Sequence, residues 1–354
     1  MDVGLTMLGR EGLRRFQLLQ ADAVSVVTER FCAALGSAYD EFDLRGRAAC
    51  REDLAFHLEF LQPVLEFGLL QPMVDYLRWL ASVLAARSIP VDHLASSLDM
   101  LGAFFAERMD AVDGAVVIAA LHAARTKFME AENESPPSDG GAWPETERFE
   151  LALLAGHQRE ALSIVNDCID GGHDLVDVEQ HIIKPALYHI GEKWQANKVT
   201  VAAEHLATAI AQSVMTIGML RSTPPAMIGR RVLLACVAGN LHALGLRMVA
   251  DAFELAGWDV QYLGANVPTP AIVRHVDEWN VDLVGLSVSF AQQLPVVKQV
   301  IGQLNERLGP ERPAVIVGGL TINRFSQLAE MVGADACGVD APSAVVRANE
   351  LIAD

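Results

Sequence analysis

The sequence predicts a multidomain fold: an all-α N-terminal domain, a four-helix bundle, and an α/β domain with a doubly wound, Rossmann-like parallel sheet. Three observations lead to this prediction. Residues 1–133 and 146–225 place apolar residues at intervals of three and four, the pattern of amphipathic helices. Residues 226–354 alternate short Val- and Leu-rich runs with helical stretches, which favours a parallel sheet. Ser, Pro and Gly are concentrated in residues 134–145, which are expected to be a linker.

The two helical regions are predicted from the same periodicity. Residues 1–133 predict about five helices, among them EDLAFHLEFLQPVL, PMVDYLRWLASVLAAR and VDHLASSLDMLGAFFAERM. Residues 146–225 contain three long helical stretches: FELALLAGHQREALSIVNDCIDGG, DLVDVEQHIIKPALYHIGEKWQANK and VTVAAEHLATAIAQSVMTIGMLR. Because the connections in this second region are short, we expect an antiparallel four-helix bundle.

In the third region, the predicted strands are the apolar runs RVLLACVA, WDVQYLG, VDLVGLSVS, PAVIVGG and ADACGV. The stretches ALGLRMVADAFELAG, TPAIVRHVDEWN, LPVVKQVIGQLNERLG and INRFSQLAEMVG between them are predicted helices. Ligands of parallel α/β sheets bind beyond the carboxyl ends of the strands. The first strand is followed by AGNLHALG, which lacks the G-x-G-x-x-G turn of a dinucleotide site, so the sequence excludes that kind of site.

Composition argues against several other classes of protein. The net charge is −18, and Lys and Arg form no cluster, so we expect no direct DNA binding. The five cysteines are scattered without a C-x-x-C pair, which gives no sign of a zinc site or a disulfide scaffold. No apolar run reaches the roughly 18 residues of a membrane helix, and the N-terminus lacks a signal-peptide pattern. We therefore expect a cytoplasmic protein that does not bind membranes.

Polar residues and glycines mark the ends of three predicted strands. They are Asn240, His242 and Gly245 after the first strand, Ser287 and Ser289 at the end of the third, and Gly318 and Gly319 at the end of the fourth. Ser287 comes 42 positions after Gly245, and 28 residues separate Ser289 from the glycine pair. This order and spacing resembles the cobalamin-binding domain of methionine synthase and of the base-off/His-on mutases, whose pattern is D/E-x-H-x-x-G, S-x-L and G-G.

The resemblance implies a role for each of these residues. His242 would be the lower axial ligand of the cobalt ion, with the nucleotide tail of the cofactor displaced into the protein. Ser287 and Ser289 would hydrogen-bond the base of the tail, and the two glycines would let the tail pass without a Cβ clash. Asn240 replaces the carboxylate of the pattern, and its amide oxygen is expected to accept the Nδ1–H bond of His242. Ser289 replaces the leucine, which makes the pocket for the base more polar.

The second helical region carries a further motif, W-x9-E-H, formed by Trp194, Glu204 and His205. It resembles the adenosylcobalamin-binding light receptors of the CarH type. The resemblance implies that Trp194 fills the upper axial side of the corrin, that Glu204 hydrogen-bonds the ribose or adenine, and that His205 supports Glu204. Gln195 stands where those receptors have a histidine that captures cobalt after illumination, so the upper ligand after photolysis stays open. The alternative is that Trp194 is a core residue and that Glu204 and His205 form an exposed helix turn.

The first helical region resembles the N-terminal domains of photocobilins, which bind biliverdin beside a cobalamin photosensor. The resemblance depends on CREDLAFH, residues 50–57, and DYLRWL, residues 75–80. A bilin needs acceptors for its pyrrole N–H groups, cations for its propionates, and aromatic walls. Asp53 and His57 are the candidate acceptors, Arg51 and Arg78 the candidate cations, and Tyr76 and Trp79 the candidate aromatic walls. Cys50 is the candidate covalent anchor, and binding without a thioether is the alternative. The alternative is a solvated Asp–His pair on one helix face and ordinary core aromatics.

Together these resemblances imply a light sensor rather than an enzyme. Adenosylcobalamin would bind between the bundle and the α/β domain, and biliverdin would add sensitivity to red light. We expect a homo-oligomer that signals by a conformational change to an effector protein, which no residue of the sequence identifies. One alternative is a corrinoid protein that carries methyl groups between methyltransferases. Another is a helical sensor in which the cobalamin domain is purely structural.

Overall fold

The computed structural model describes residues 5–35, 44–130, 141–223 and 225–352. The chain divides into two compact units, Met1–Ser135 and Pro136–Asp354. Most of the expected linker, 134–145, lies outside the described residues. In the described ranges, no helix combines the length and the apolar character that a membrane crossing requires.

The first unit contains helices and no strand in its described residues, as the apolar periodicity predicts. Its helices are α1 (Arg10–Leu35), α2 (Leu44–Phe67), α3 (Leu70–Ala85), α4 (Asp92–Arg108) and α5 (Ala111–Glu130). Buried aromatic rings join α1 to α4. The ring centroids of Phe16 and Phe105 are 5.1 Å apart, and Phe104 and Phe105 meet edge to face at 5.3 Å. These rings have no exposed surface, so they contribute their full apolar area to the core.

The second unit begins with a helical bundle. Its elements are α6 (Glu145–Leu154), α7 (Gln158–Asp170), α8 (Leu175–Val178), a π-helical turn (Glu179–Ile183), α9 (Lys184–Gln195) and α10 (Val201–Arg221). α8, the π turn and α9 form one continuous helix. With α6, α7 and α10, the described residues of this region therefore form four successive helices, consistent with the predicted four-helix bundle. Thr200 caps α10: its Oγ1 accepts a hydrogen bond from the Ala203 N–H at 3.2 Å.

The remainder of the second unit is a parallel α/β domain. Its strands are β1 (Arg231–Val237), β2 (Asp259–Val267), β3 (Leu283–Ser287), β4 (Ala314–Gly318) and β5 (Ala336–Gly338). The helices are α11 (Leu244–Leu255), α12 (Thr269–Trp279), α13 (Leu294–Leu308), α14 (Leu320–Arg324), α15 (Leu328–Val332) and α16 (Ala341–Ile352). The sheet order β2-β1-β3-β4-β5 confirms the predicted strands. The order reverses between β1 and β3, and the carboxyl ends of these two strands therefore flank the crevice where such sheets bind ligands.

Two predicted helices are each divided in the structure: FELALLAGHQREALSIVNDCIDGG forms α6 and α7. The second is INRFSQLAEMVG. The structure has α14 and α15 here, and they are separated at Phe325, where φ is −135° and ψ is 71°, outside the helical region. The side-chain amide of Asn323 donates to the carbonyl of Val339 at 2.7 Å. This bond ties the end of α14 to the segment after β5. The spacing of apolar residues does not depend on such a tertiary contact. The helical pattern in the sequence therefore continues through the break.

The bundle and the α/β domain share a hydrophobic core within the second unit. Met248 and Ala252 of α11, together with Ala341 of α16, belong to the same buried cluster as Val178 and Ile182 of the bundle. Burial of apolar surface thus holds the bundle against the helix that follows the first strand. This contact fixes α11 relative to the bundle, and α11 begins directly after the loop that carries His242.

Candidate functional site

The loop between β1 and α11 carries His242 and is held by hydrogen bonds to its backbone. Gly239 has φ +83° and donates its N–H to Oδ1 of Asn266 at 2.8 Å. The Asn266 N–H donates to the carbonyl of Asn240 at 2.9 Å, and the Asn240 N–H donates to the carbonyl of Val237 at 2.9 Å. The positive φ at position 239 favours glycine. The loop is therefore fixed at the carboxyl end of β1.

Asn240 is completely buried and holds this loop in a different way from the prediction. Its Oδ1 accepts a hydrogen bond from the backbone N–H of His242 at 3.1 Å, and its Nδ2 donates to the carbonyl of Ser287 at 2.9 Å. The expected bond from the imidazole Nδ1–H to Asn240 is wrong, because the amide oxygen bonds the main chain instead. Asn240 thus joins the loop after β1 to the end of β3.

The imidazole of His242 is exposed at the carboxyl edge of the sheet. Its ring lies edge to face with Phe290, with 5.1 Å between the centroids, and neither ring nitrogen has a hydrogen-bond partner in the described part of the chain. Desolvation by the surrounding protein lowers the pKa of His242 below its ordinary value, while the charge of Glu204 acts in the opposite direction. A neutral imidazole keeps the lone pair that a metal ligand needs, and His242 is therefore suited to bind cobalt.

Ser287 and Ser289 lie buried where β3 ends. The Oγ of Ser287 is 3.4 Å from the Asn240 Nδ2. Ser289 is held through its backbone: its N–H donates to Gln293 Oε1 at 2.9 Å, and its carbonyl accepts a hydrogen bond from Thr321 Oγ1 at 2.9 Å. The structure thus brings both serines to the same edge of the sheet as the His242 loop.

The backbone itself requires glycine at positions 318 and 319. A Cβ on Gly319 would lie 2.4 Å from the carbonyl oxygen of Val288, and a Cβ on Gly318 would lie 2.9 Å from that of Gly338. Gly319 also has φ +102°, a conformation that side chains rarely adopt. By contrast, a Cβ on Gly245 would meet nothing within 4 Å. The glycine pair therefore allows close approach of the strand ends, and Gly245 borders open space.

Gln293 is a residue of this site that no sequence pattern indicated. Its side chain is buried and bonds two loops: Nε2 donates to the carbonyl of Gly239, and Oε1 accepts the N–H groups of Ser289 and Phe290. In the sequence it belongs to the pair QQ before a predicted helix, and nothing distinguishes it from Gln292. Its role arises only from the tertiary contact between the two loops.

On the bundle side, Glu204 lies in the first turn of α10, and Trp194 lies at the end of α9. The Glu204 carboxylate accepts hydrogen bonds from Nδ1 of His205 and, at 3.0 Å, from Oγ1 of Thr208. His205 is exposed and Trp194 is half-buried. Because the charge of Glu204 acts on His242, the first turn of α10 lies near the loop after β1. The structure therefore brings Glu204 and the predicted lower ligand into one site.

The side chains of this site fit a cobalt corrinoid. An unprotonated imidazole is a suitable nitrogen donor for a divalent transition metal. Apolar side chains are exposed in both parts: Leu206 on α10 is 49% exposed, and Leu241 beside His242 is 72% exposed. Of the residues that the sequence predicts to hold the group, the structure places His242 of the sheet and Glu204 of the bundle near one another; the roles of Trp194 and His205 stay predictions.

In the first unit, two of the predicted bilin residues belong to the core. His57 is buried, with Nδ1 2.8 Å from the Tyr76 hydroxyl and Nε2 3.1 Å from the Ser97 Oγ. The Tyr76 ring is buried as well and stacks on Phe60 with 4.0 Å between the centroids. Both groups therefore have partners inside the core, which agrees with the alternative of ordinary core residues, and their roles toward a bilin stay predictions.

The other predicted bilin residues are partly or fully accessible. Burial raises the pKa of Asp53 to about 6. Burial also raises the pKa of the Cys50 thiol to about 12, and the predicted thioether anchor therefore lacks an activated nucleophile. The residues that reach the surface are Arg51, which is exposed, Arg78, which is half-buried, and Trp79, which is 41% exposed.

Comparison with known proteins gives matches over the second unit. Two family profiles, each described as a B12 binding domain, match residues 230–348 and 145–217. Dimethylamine corrinoid protein 1 of Methanosarcina acetivorans is 33% identical over 117 residues, which are 33% of this chain and 54% of that protein. Dimethylamine corrinoid protein 3 of Methanosarcina mazei is 32% identical over 117 residues, which are 33% of this chain and 69% of that protein. The chain thus spans about half of the first relative and about two thirds of the second.

Another relative matches a longer stretch of the chain. The HTH-type transcriptional repressor CarH of Myxococcus xanthus is 27% identical over 207 residues, which are 57% of this chain and 68% of that protein. Among solved structures, the monomethylamine corrinoid protein of Methanosarcina barkeri has a TM-score of 0.49 and 19% identity. That match covers 58% of this chain and 96% of that chain.

Proposed function

Since the chain belongs to the family of B12-binding proteins, it binds cobalamin, and we propose that it is an adenosylcobalamin-dependent light sensor. In this proposal the cofactor lies between the first turn of α10 and the carboxyl edge of the sheet. His242 donates a ring nitrogen lone pair to cobalt from the side of the sheet. The bound cofactor supplies a cobalt–carbon bond that light breaks, and the protein responds to the loss of the adenosyl group.

The observation that carries the proposal is that the bundle and α11, which follows the His242 loop, share one buried core. Glu204, in the first turn of α10, lies close enough for its charge to act on the pKa of His242. A corrin bound by His242 would therefore turn its other face toward α10. There the Glu204 carboxylate can accept hydrogen bonds from ribose hydroxyls or the adenine amine, and the Trp194 ring offers an apolar surface. The similarity to the CarH repressor over 57% of this chain supports the same arrangement.

The signal would start at Glu204. Glu204 would hold the adenosyl group through its carboxylate, and without that group it would keep its bonds to His205 and Thr208. Because α10 packs against α6, α7 and α9, a shift of its first turn changes the packing of the whole bundle. We propose that this change alters the surface through which the protein contacts a second copy of itself or an effector protein.

The first unit adds a second part to the proposal, a biliverdin site on the surface of α2 and α3. Phe56 is 45% exposed and Trp79 is 41% exposed, so both rings are available to a flat conjugated ligand. Asp53 would accept hydrogen bonds from the pyrrole N–H groups, and Arg51 and Arg78 would pair with the propionates. The raised pKa of the Cys50 thiol supports binding without a thioether.

The test of light sensing uses the full chain loaded in the dark with adenosylcobalamin. Green light should change the absorption spectrum and, in parallel, the hydrodynamic radius of the protein. Trp194→Ala should retain cobalamin but lose the light-dependent change in radius. Glu192→Gln, at an exposed position of α9, is the control and should respond like the wild type. Photolysis of the bound cofactor without any change in radius would contradict the proposal.

Biliverdin binding is tested separately, by the long-wavelength absorption band after the pigment is added to the full chain. Trp79→Ala should weaken binding. Val112→Ala removes an apolar group that is 75% exposed on α5 and should leave binding unchanged. A wild-type chain without a long-wavelength band would contradict the bilin part of the proposal and leave the cobalamin part standing.

A second candidate function is a corrinoid methyl carrier, and the similarity to two dimethylamine corrinoid proteins favours it. A carrier should bind methylcobalamin at least as tightly as the adenosyl form, and it should lose the methyl group to a thiol acceptor when a methyltransferase is supplied. A preference for methylcobalamin, combined with no structural response to light, would support the carrier over the sensor.

A further inference from the structure

Gln293 connects the two loops at the carboxyl edge of the sheet. It ends a short 3-10 turn, Ala291–Gln293, and is 3% exposed. Its Oε1 accepts the N–H groups of Ser289 at 2.9 Å and Phe290 at 3.2 Å, and its Nε2 donates to the carbonyl of Gly239 at 3.0 Å. Away from water, a broken hydrogen bond leaves an unsatisfied polar group. One side chain therefore fixes the distance between the loops.

Both ends of this connection lie next to His242. Gly239 opens the loop that carries the imidazole, three residues ahead of it. The Phe290 ring lies 5.1 Å from the imidazole with 81° between the two planes. Because neither imidazole nitrogen has a hydrogen-bond partner among the residues the structure describes, the loop backbone and the Phe290 ring are what orient it. An edge-to-face contact of this kind favours a defined ring orientation.

We propose that Gln293 is a positioning residue for the cobalt ligand: it holds the His242 imidazole in the orientation that lets a ring nitrogen reach the metal. On one side it acts through the Gly239 carbonyl and hence through the loop. On the other side it acts through the Phe290 N–H and hence through the aromatic ring beside the imidazole. This inference rests on cobalamin binding and does not require the response to light.

The test measures how much of the bound cobalt is coordinated by imidazole. The full chain and its variants are made with 15N-labelled histidine and loaded with cob(II)alamin in the dark. In electron paramagnetic resonance, a doublet superhyperfine splitting then reports imidazole on cobalt, and a triplet reports the cofactor's own base. His242→Ala defines the signal without imidazole. Gln293→Met keeps a similar volume and removes the hydrogen bonds. It should lower the ratio of imidazole-bound to imidazole-free cobalt by about tenfold, the effect of about one buried hydrogen bond.

Gln292→Met is the matched control. Gln292 precedes Gln293 in the same turn, and within the described ranges its Oε1 is buried without a hydrogen-bond partner. This variant should therefore leave the ratio unchanged. Gln293→Glu retains the acceptor for the two N–H groups but loses the donor to Gly239, and it should lower the ratio as Gln293→Met does.

A purely structural role makes a different prediction. If Gln293→Met melts at a lower temperature but keeps the wild-type ratio, the proposal is overturned. If Gln293→Met fails to fold, Phe290→Leu is measured instead, because it removes the ring contact with His242 and keeps the backbone hydrogen bonds. A wild-type ratio of imidazole-bound to imidazole-free cobalt in Phe290→Leu would also overturn the proposal. A wild-type chain that binds no cob(II)alamin would overturn the cobalamin function as well, whereas a missing response to light affects only the sensor.

Discussion

Asn240 occupies the position where the cobalamin-binding pattern has a carboxylate. Its side-chain oxygen meets a hydrogen-bond donor, and its side-chain nitrogen meets an acceptor. Oδ1 accepts from the His242 N–H, and Nδ2 donates to the Ser287 carbonyl. An ionised carboxylate has no donor and could make only the first bond. The amide is therefore the side chain that this backbone arrangement requires.

We expect Asn240→Asp to destabilise the apo form by about 1–3 kcal/mol at pH 8, since a buried carboxylate would face the Ser287 carbonyl without a donor. Urea denaturation followed by circular dichroism measures this loss. It should be smaller at pH 5, where protonation restores a donor. Asn305→Asp, at an exposed position of α13, is the control. Equal stability of Asn240→Asp and the wild type at pH 8 would mean that the bond to Ser287 contributes nothing.

We expect the buried His57 to make the first unit sensitive to acid. Burial lowers its pKa from 6.5 to about 4, so the unfolded state binds the proton more readily than the folded state. The stability from this difference is fully present above pH 6.5 and is lost as the pH falls toward 4, by at most about 3 kcal/mol. His57→Gln keeps hydrogen-bonding groups for Tyr76 and Ser97 and does not titrate, so it should remove this sensitivity.

Hydrogen exchange of the α2 and α3 amides, corrected for the intrinsic pH dependence, is the measurement for His57. The wild type should lose protection between pH 7 and pH 5. His122→Gln changes an exposed histidine of α5 and should behave like the wild type, while His57→Gln should keep its protection. An equal loss in all three proteins would assign the acid sensitivity to other groups.

Among the elements, the central strands were predicted correctly because β1 and β3 are buried along nearly their whole length, and a continuous apolar run reports such burial directly. The π turn, Glu179–Ile183, was not predicted, since a single wide turn leaves the apolar periodicity nearly intact. Its His181 carbonyl accepts bonds from the Trp143 N–H at 3.0 Å and from Thr146 Oγ1 at 2.9 Å. Gln293 escaped prediction for another reason: its bond to the Gly239 carbonyl joins positions 54 residues apart and leaves no local pattern.

At the ends of the strands, Gly319→Ala should destabilise the apo form by about 2–4 kcal/mol, because it combines a strained backbone with a clash against the Val288 carbonyl. Gly302→Ala is the control: it lies within α13, where a Cβ meets nothing within 4 Å, and should stabilise by about 0.5–1 kcal/mol. Urea denaturation without cobalamin compares the two. A Gly319→Ala variant as stable as the wild type but unable to bind cobalamin would show that this glycine serves only the ligand.

The whole molecule is strongly acidic, with a net charge of −18, and yet two of its carboxyl groups are buried together within the second unit. Glu179 of the π turn and Asp251 of α11 are 0% and 1% exposed. Arg247 Nε donates to Oδ1 of Asp251 at 2.6 Å. In the described parts of the chain, no ordinary donor reaches Asp251 Oδ2 or either oxygen of Glu179. These buried oxygens of Glu179 and Asp251 can form a hydrogen bond only if the two carboxyl groups share a proton. The shared proton then joins the bundle to α11.

This pair should give the second unit the opposite pH response from the first. Burial and the neighbouring Asp251 raise the pKa of Glu179 well above its ordinary value of 4.5, and burial raises that of Asp251 too, against the opposing charge of Arg247. A raised carboxyl pKa means that the stability is fully present below pH 4.5 and is lost as the pH rises through the folded-state pKa. Glu254 and Tyr262 also face this cluster and interact with both Asp251 and Arg247.

Glu179→Gln tests the shared proton, because an amide donates to Asp251 at every pH. Calorimetry of the full chain should show the transition of the second unit moving to lower temperature between pH 5 and pH 8 in the wild type. That shift should disappear in Glu179→Gln, which should melt at a higher temperature than the wild type at pH 8. Glu192→Gln, an exposed carboxylate of α9, should follow the wild type. If Glu179→Gln keeps the full shift, the buried pair does not hold the bundle to α11 through a proton.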